Sequence, residues 1–156
     1  MIDVEKKNKK AWKGLENFAI SQEKLGGLLD FIDSLLKMYD ENLDILIACV
    51  EDSANINLVS QAYLKSEDDK RYMICFTSIN RAIKTPQGTT WRAVSSKIVM
   101  NNMFNRDEIA GLVFNPFDEQ QRVIMTKDIL LKVMNARNDV KKRSRKSSFL
   151  KMKTVA

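Results

Sequence analysis

The stretch 111–119 constrains the fold most strongly, because an apolar strand there runs directly into an Asn-Pro turn. Proline cannot continue a central strand, and the side chain of Asn115 can bond to nearby backbone to start a turn. We therefore expect the strand to end at Phe114 and to lie inside a sheet. Phe117 follows Pro116 in a polar context, which favours exposure of its ring to solvent.

Apolar periodicity places this strand in an α+β fold, with a small mixed sheet, N-terminal helices and further helices packed on the sheet. Residues 15–39 carry apolar side chains at helical spacing, as two helices or as one bent helix. Thr77 or Ser78 can cap a short helix, and Ser95 or Ser96 can cap a longer one. The predicted strands are residues 45–50, 56–64, 71–76, 109–114 and 123–124, with a short extended piece at 91–94 and a last helix over 126–134.

The positive charge of the chain is concentrated at its C-terminal end. The whole sequence has 26 Lys and Arg against 20 Asp and Glu, whereas residues 135–156 contain eight basic residues and one acidic residue. Subtraction leaves 18 basic and 19 acidic residues in 1–134, which is nearly neutral. We therefore predict one α+β domain over 1–134, with a basic lead-in at 1–14, followed by a flexible basic tail over 135–156.

Missing residue types exclude several classes of chemistry. The sequence contains no histidine, which removes Ser-His and Cys-His nucleophile systems and every histidine-containing metal site. Its five glycines fit neither a phosphate-cradling loop nor a dinucleotide-binding fingerprint. Cys49 and Cys75 lie in apolar strands, where a free thiol behaves as a small hydrophobe. The sequence thus predicts a protein that is not an enzyme and that has no cofactor or metal.

Three acidic clusters remain as candidates for metal binding or carboxylate catalysis. They occupy residues 51–52, 67–69 and 118–119, each after a predicted strand or turn. Two of them can supply oxygen ligands to a divalent cation, or act as an acid/base pair, if the fold brings them together. Charged loop ends also keep a sheet soluble and discourage pairing at its edges, and we favour that interpretation.

The sequence also predicts a cytoplasmic protein. No segment approaches the roughly 18 consecutive apolar residues of a transmembrane helix. The first residues are acids and lysines, without the apolar stretch of a secretory signal.

Two segments resemble the N-terminal domain of SseB proteins, the bacterial "enhanced serine sensitivity" family. The similar positions are Phe76-Thr77-Ser78, Gly111-Leu112-Val113 and Asn115-Pro116, and the order of elements is similar over residues 15–134. The resemblance implies a small α+β domain that is not an enzyme and that acts as an adaptor of unassigned role. Many members of the family have a second, C-terminal domain, and this chain has a basic tail in its place.

Two functions from different classes follow as expectations. The first is a protein-interaction module whose partner-binding surface contains Asn115, Pro116, Phe117 and Trp91. A purely structural turn and a core tryptophan are the simpler interpretations of the same residues. The second is weak, sequence-independent binding of nucleic acid or another polyanion through the tail residues Lys141, Lys142, Arg143, Arg145 and Lys146.

Overall fold

Two helices precede the sheet in the computed structural model, which describes residues 2–21, 27–51, 59–84 and 89–138. The α+β class and the mixed sheet expected from the sequence are confirmed. The elements are, in chain order, α1 (Ile2–Ile20), α2 (Gly27–Asp40), β1 (Asp44–Glu51), β2 (Val59–Gln61), β3 (Tyr63–Lys65), β4 (Arg71–Phe76), α3 (Ile79–Ala82), β5 (Thr89–Ser95), α4 (Ser96–Asn105), β6 (Ile109–Phe114), β7 (Val123–Thr126) and α5 (127–138).

The sheet runs in the order β5-β1-β4-β6-β7. Leu46 and Ile47 of β1 pair with β4 and with β5 at the same time, so these two strands lie on opposite edges of β1. β4 and β6 are parallel, whereas β7 pairs with β6 in the antiparallel sense. Gly111 permits the close approach of β7, because a Cβ at this position would collide with the backbone carbonyl oxygen of Met125.

The strand predicted over residues 56–64 is divided in the structure at Ala62. β2 pairs with β1 and β3 pairs with β4, both antiparallel. The N–H of Ala62 donates to the carbonyl of Ala48 (2.8 Å), and its own carbonyl accepts from the N–H of Ile74 (3.2 Å). Because β1 and β4 run in opposite directions, the chain must reverse at Ala62 to follow first one and then the other. Residues 56–58 lie outside the described residues.

The two faces of the sheet carry cores of different size. One face packs against α1, α2, α4 and α5, and its cluster includes Leu15, Phe31, Leu35, Ile45, Ile47, Met73, Met100, Leu112, Phe114, Val123 and Leu130. The smaller cluster on the opposite face consists of Leu46, Ala48, Ala62, Ile74, Phe76, Val113 and Ala82 of α3. The rings of Phe31 and Phe114 meet edge to face, with 4.9 Å between their centroids, and join α2 to β6.

Helix α1 begins well before residue 15, where the apolar period places its start. Asn8 is only 6% exposed; its side chain donates to a carboxylate oxygen of Asp44 (3.2 Å) and accepts from the backbone N–H of that residue (3.0 Å). The indole N–H of Trp12 donates to the carbonyl of Asp44 (2.8 Å). The predicted basic lead-in is therefore helical from Ile2 onward, and it is tied to the start of β1.

Helix α5 likewise continues beyond the predicted limit of the domain. Residues 135–138 are helical, and the guanidinium of Arg137 lies 3.0 Å from a carboxylate oxygen of Asp40. The folded part thus includes residues that composition alone assigns to the tail. The predicted tail from residue 139 onward lies outside the described residues.

The starts of α3 and α4 follow the predicted residues, although one cap makes different hydrogen bonds from those expected. The hydroxyl of Ser78 accepts from the N–H of Arg81 (3.3 Å) at the start of α3. Ser95 occupies the N-cap position of α4 but makes no side-chain bond to the helix, and its hydroxyl bonds to Asn42 instead. The hydroxyl of Ser96 donates to the carbonyl of Met38 (3.0 Å), which ties α4 to α2.

Candidate partner-binding turn at the ends of β4 and β6

Asn115 joins the carboxyl ends of the two parallel strands. Since β4 and β6 run in the same direction, Thr77 and Asn115 emerge at the same edge of the sheet. The side-chain oxygen of Asn115 accepts from the N–H of Thr77 (3.1 Å), and its amide nitrogen donates to the Thr77 hydroxyl (2.9 Å) and to the carbonyl of Gln121 (3.2 Å). Asn115 is 2% exposed, so these bonds are shielded from water.

The backbone of Asn115 adopts the left-handed conformation, with φ at 54°. Asparagine tolerates this region better than other residues with a Cβ, because its short polar side chain can bond locally. The turn then closes through the N–H of Asp118, which donates to the carbonyl of Asn115 (3.1 Å). The choice of asparagine therefore serves both the turn and the connection to β4.

Three charged side chains, one from α1, one from α3 and one from the turn itself, meet at this turn. Arg81 of α3 lies between Glu16 of α1 and Asp118 of the turn, with a nitrogen–oxygen distance of 2.5 Å to each carboxylate. The hydroxyl of Thr77 donates to the second carboxylate oxygen of Glu16. Hydrogen bonding to Arg81 holds the pKa of Asp118 below its ordinary range, which favours the ionised carboxylate.

The following residues fix the far side of the turn. The guanidinium of Arg122 donates twice to the carbonyl of Pro116, at 3.2 and 2.8 Å. Pro116 is buried, whereas Phe117 is 52% exposed. An aromatic ring therefore reaches solvent from a backbone held by hydrogen bonds on both sides.

The four predicted partner-binding residues do not form one surface. Asn115, Pro116 and Phe117 lie together at the end of β6, and only the ring of Phe117 is exposed. Trp91 lies on β5, opposite Ala48, and packs against the smaller cluster. Two strands, β1 and β4, separate β5 from β6. The predicted polyanion-binding residues Lys141, Lys142, Arg143, Arg145 and Lys146 lie outside the described residues.

The acidic clusters at 67–69 and 118–119 do not converge either, and Asp52 of the third cluster lies outside the described residues. Asp118 is bonded to Arg81, whereas Asp68 and Asp69 lie in the β3–β4 loop and pair with the neighbouring Lys70 and Lys65. That loop precedes β4, so it lies at the opposite end of the strand from Asp118. Within the described ranges no group of three potential ligands is close enough to hold a metal ion.

Both thiols lie in the sheet and are free. Burial raises the pKa of Cys75, which is fully enclosed, and burial also raises the pKa of Cys49 in spite of the nearby Arg92. A raised pKa keeps a thiol protonated, and the protonated form is a poor nucleophile.

Sequence reasoning did not identify Glu16, Arg81 and Arg122 as parts of this site. Glu16 and Arg81 are 65 positions apart, and they meet only because the tertiary fold brings α1 next to α3. The Ser78 cap and the Asn-Pro turn could be predicted, because each is indicated by residues that are adjacent in sequence. To predict that Glu16, Arg81 and Asp118 meet, one would have to know which strand ends are neighbours in the sheet.

Comparisons of the chain with protein-family models, with curated proteins and with solved structures find no match. The resemblance of two short motifs to SseB domains therefore stays a prediction. Among the helices that the structure describes, each is too short or too polar to cross a lipid bilayer.

Proposed function

We propose that the protein is a non-catalytic interaction module that binds a partner protein through the turn 115–122, with Phe117 as the anchor. The observation that carries this proposal is the 52% exposure of an aromatic ring on a hydrogen-bonded turn. Aromatic side chains are enriched among the residues that dominate binding energy at protein interfaces.

Rigidity of the turn supports the same proposal. Binding costs free energy when loops and side chains must be ordered, and a preformed loop avoids much of this cost. The backbone around Phe117 is held from one side by Asn115 and from the other by Arg122. Only the two side-chain torsions of the phenylalanine remain to be fixed by a partner.

The wider setting of the proposal is a cytoplasmic adaptor domain similar to those of bacterial SseB proteins. Its support is the short-motif resemblance, in which Asn115-Pro116 is one of the similar positions. In this setting the activity lies in the partner, and the domain supplies recognition.

Affinity purification from the native cell tests the proposal. The baits are the wild-type chain, Phe117→Ala and the control Ile98→Ala, which removes an apolar side chain that is 60% exposed on α4. We expect to recover a protein partner whose binding survives nuclease treatment. Ile98→Ala should retain this partner, and Phe117→Ala should lose it. Retention of every partner by Phe117→Ala would refute the anchor role.

A second candidate function is salt-sensitive polyanion binding through the tail, favoured by the eight basic residues in 135–156. Arg137 is bonded to Asp40, so the test should remove only residues 139–156. We expect this truncation to abolish binding to a DNA oligonucleotide, measured by anisotropy at two salt concentrations, with little change in thermal stability. Undiminished binding by the truncated chain would assign the polyanion site to the folded surface.

A further inference from the structure

A groove lies between α1 and α2, away from the Asn115 turn. One stripe of α1, at positions i, i+3, i+4 and i+7, lines it with Lys7, Lys10, Ala11 and Gly14. The corresponding stripe of α2 contributes Ser34, Lys37 and Met38, and Glu41 follows directly after the helix. The groove has a volume of about 340 Å³. This volume lies within the range of about 300–1,000 Å³ that is usual for small-molecule sites.

Small side chains leave the space between the two helices unfilled along this groove. At the i, i+3, i+4 and i+7 positions of packed helices, large apolar residues normally fill the contact. Here Ala11, Gly14 and Ser34 occupy those positions, while the buried side chains of Met38 and Leu43 form the bottom. The deep part of the groove is therefore apolar and unfilled by the protein itself.

Gly14 is the clearest indication that the space serves a purpose. A glycine inside a helix destabilises it by roughly 0.5–1 kcal/mol relative to alanine. A Cβ at Gly14 would have no atom within 4 Å, so packing does not require the glycine. The absence of a side chain at this position leaves the groove open.

The charges around the groove define what it can accept. Lys7, Lys10 and Lys37 line it against a single acid, Glu41. No ion pair joins these lysines to a carboxylate in the part of the chain that the structure describes. The groove therefore combines an apolar bottom with an excess of positive charge from both helices.

We propose that the α1–α2 groove binds a small anionic amphiphile, a free molecule with an acyl chain and one carboxylate or phosphate group. The chain occupies the space above Met38 and Leu43, next to Gly14. The anionic group lies among the lysines, where ordinary ion pairing replaces its contacts with water. A purely apolar ligand would form no ion pair with the lysines, and a simple anion would leave the apolar bottom of the groove empty.

Calorimetric titration of the full chain with decanoate, kept below its micelle concentration, tests this site. Decanol and inorganic phosphate serve as probes that lack the charge and the chain, respectively. We expect decanoate to bind at least about tenfold more tightly than either. Vesicles with and without anionic lipid distinguish a free amphiphile from a membrane surface, and decanoate is expected to bind without them.

Variants locate the site. Gly14→Phe places a ring in the groove, and Lys10→Glu and Lys37→Glu reverse its charge on each helix. Each is expected to weaken decanoate binding at least about tenfold. Lys13→Glu, on the exposed side of α1 and outside the groove, is the matched control and should bind as the wild type does.

Circular dichroism and thermal unfolding establish that each variant is folded; if Gly14→Phe does not fold, the two lysine variants decide. The proposal is overturned if decanoate does not bind, if the folded variants bind it as well as the wild type, or if inorganic phosphate binds equally well. Binding restricted to anionic vesicles would also overturn it.

Discussion

The Asn115 turn and the α1–α2 groove differ in how their charged groups are bonded. At the turn, Arg81 lies 2.5 Å from the carboxylates of both Glu16 and Asp118. In the groove, Lys10 and Lys37 have no such partner within the described residues. Charges at the turn therefore hold the protein together, whereas those of the groove remain available to a ligand.

The same comparison explains why we expect the two regions to bind different partners. The turn presents one exposed ring on a fixed backbone, which fits an apolar pocket of a protein. The groove presents a concave apolar bottom with lysines at its mouth, which fits a small amphiphile. Substitutions that separate these properties test the comparison.

Within the turn 115–122, Asn115→Ala has the largest expected effect on stability. It leaves the buried N–H of Thr77 without an acceptor and forces alanine into the left-handed region, so we expect a loss of about 2–4 kcal/mol in urea unfolding. Asn42→Ala is the control, because Asn42 has the same φ of 54° but is exposed, as is the hydrogen bond that it accepts from Ser95. Its expected loss is about 1 kcal/mol. Equal losses for the two variants would mean that the buried bonds contribute nothing.

Gly14→Ala changes stability in the opposite direction. Because a Cβ at Gly14 meets no other atom, the variant should gain about 0.5–1 kcal/mol from better helix propensity. Thermal unfolding of the wild type and the variant measures this gain. A loss of stability would show that the open space above Gly14 is smaller than the structure indicates.

Arg81→Met tests the bonded charges through the pKa of Asp118. Removing the guanidinium should raise this pKa toward its ordinary value of about 3.9, measured by carbon-detected NMR titration. A depressed pKa adds stability above the unfolded pKa that is lost as the pH falls through the folded pKa. The wild type should therefore lose more stability on acidification below about pH 4 than the variant does.

An internal control comes from Glu108, whose pKa is lowered by its own backbone N–H and by Arg106, remote from Arg81. The pKa of Glu108 should be the same in both proteins. An unchanged pKa of Asp118 in Arg81→Met would show that Arg81 does not stabilise the ionised carboxylate at the turn.

Much of the fold could be predicted from local signals. Strand ends at Phe76 and Phe114, the cap at Ser78 and the mixed α+β sheet follow from apolar period and turn chemistry. The reversal at Ala62 could not, since it depends on β1 and β4 diverging on either side of that residue. The early start of α1 also depends on distant contacts, between Trp12 and Asp44.

The candidate sites likewise contain features that could be predicted from the sequence and features that could not. The exposure of Phe117 beyond the proline was predicted from its polar neighbours, and the structure confirms it. The bonding of Arg81 to Glu16 was out of reach, because the two residues are far apart in sequence. Gly14 falls in the predicted basic lead-in, so its place within a helix was not predicted, and its meaning depends on the position of α2.

Phe117→Ala, compared with Phe114→Ala, is the most direct test of the anchor on the turn. Phe114 is fully buried against Phe31, so its truncation should reduce the free energy of unfolding by about 3–5 kcal/mol. Phe117→Ala should leave stability within about 0.5 kcal/mol. It should nevertheless weaken the complex with a purified partner by at least about 2 kcal/mol, measured by calorimetry. Large destabilisation by Phe117→Ala with unchanged partner affinity would contradict the account and make the turn purely structural.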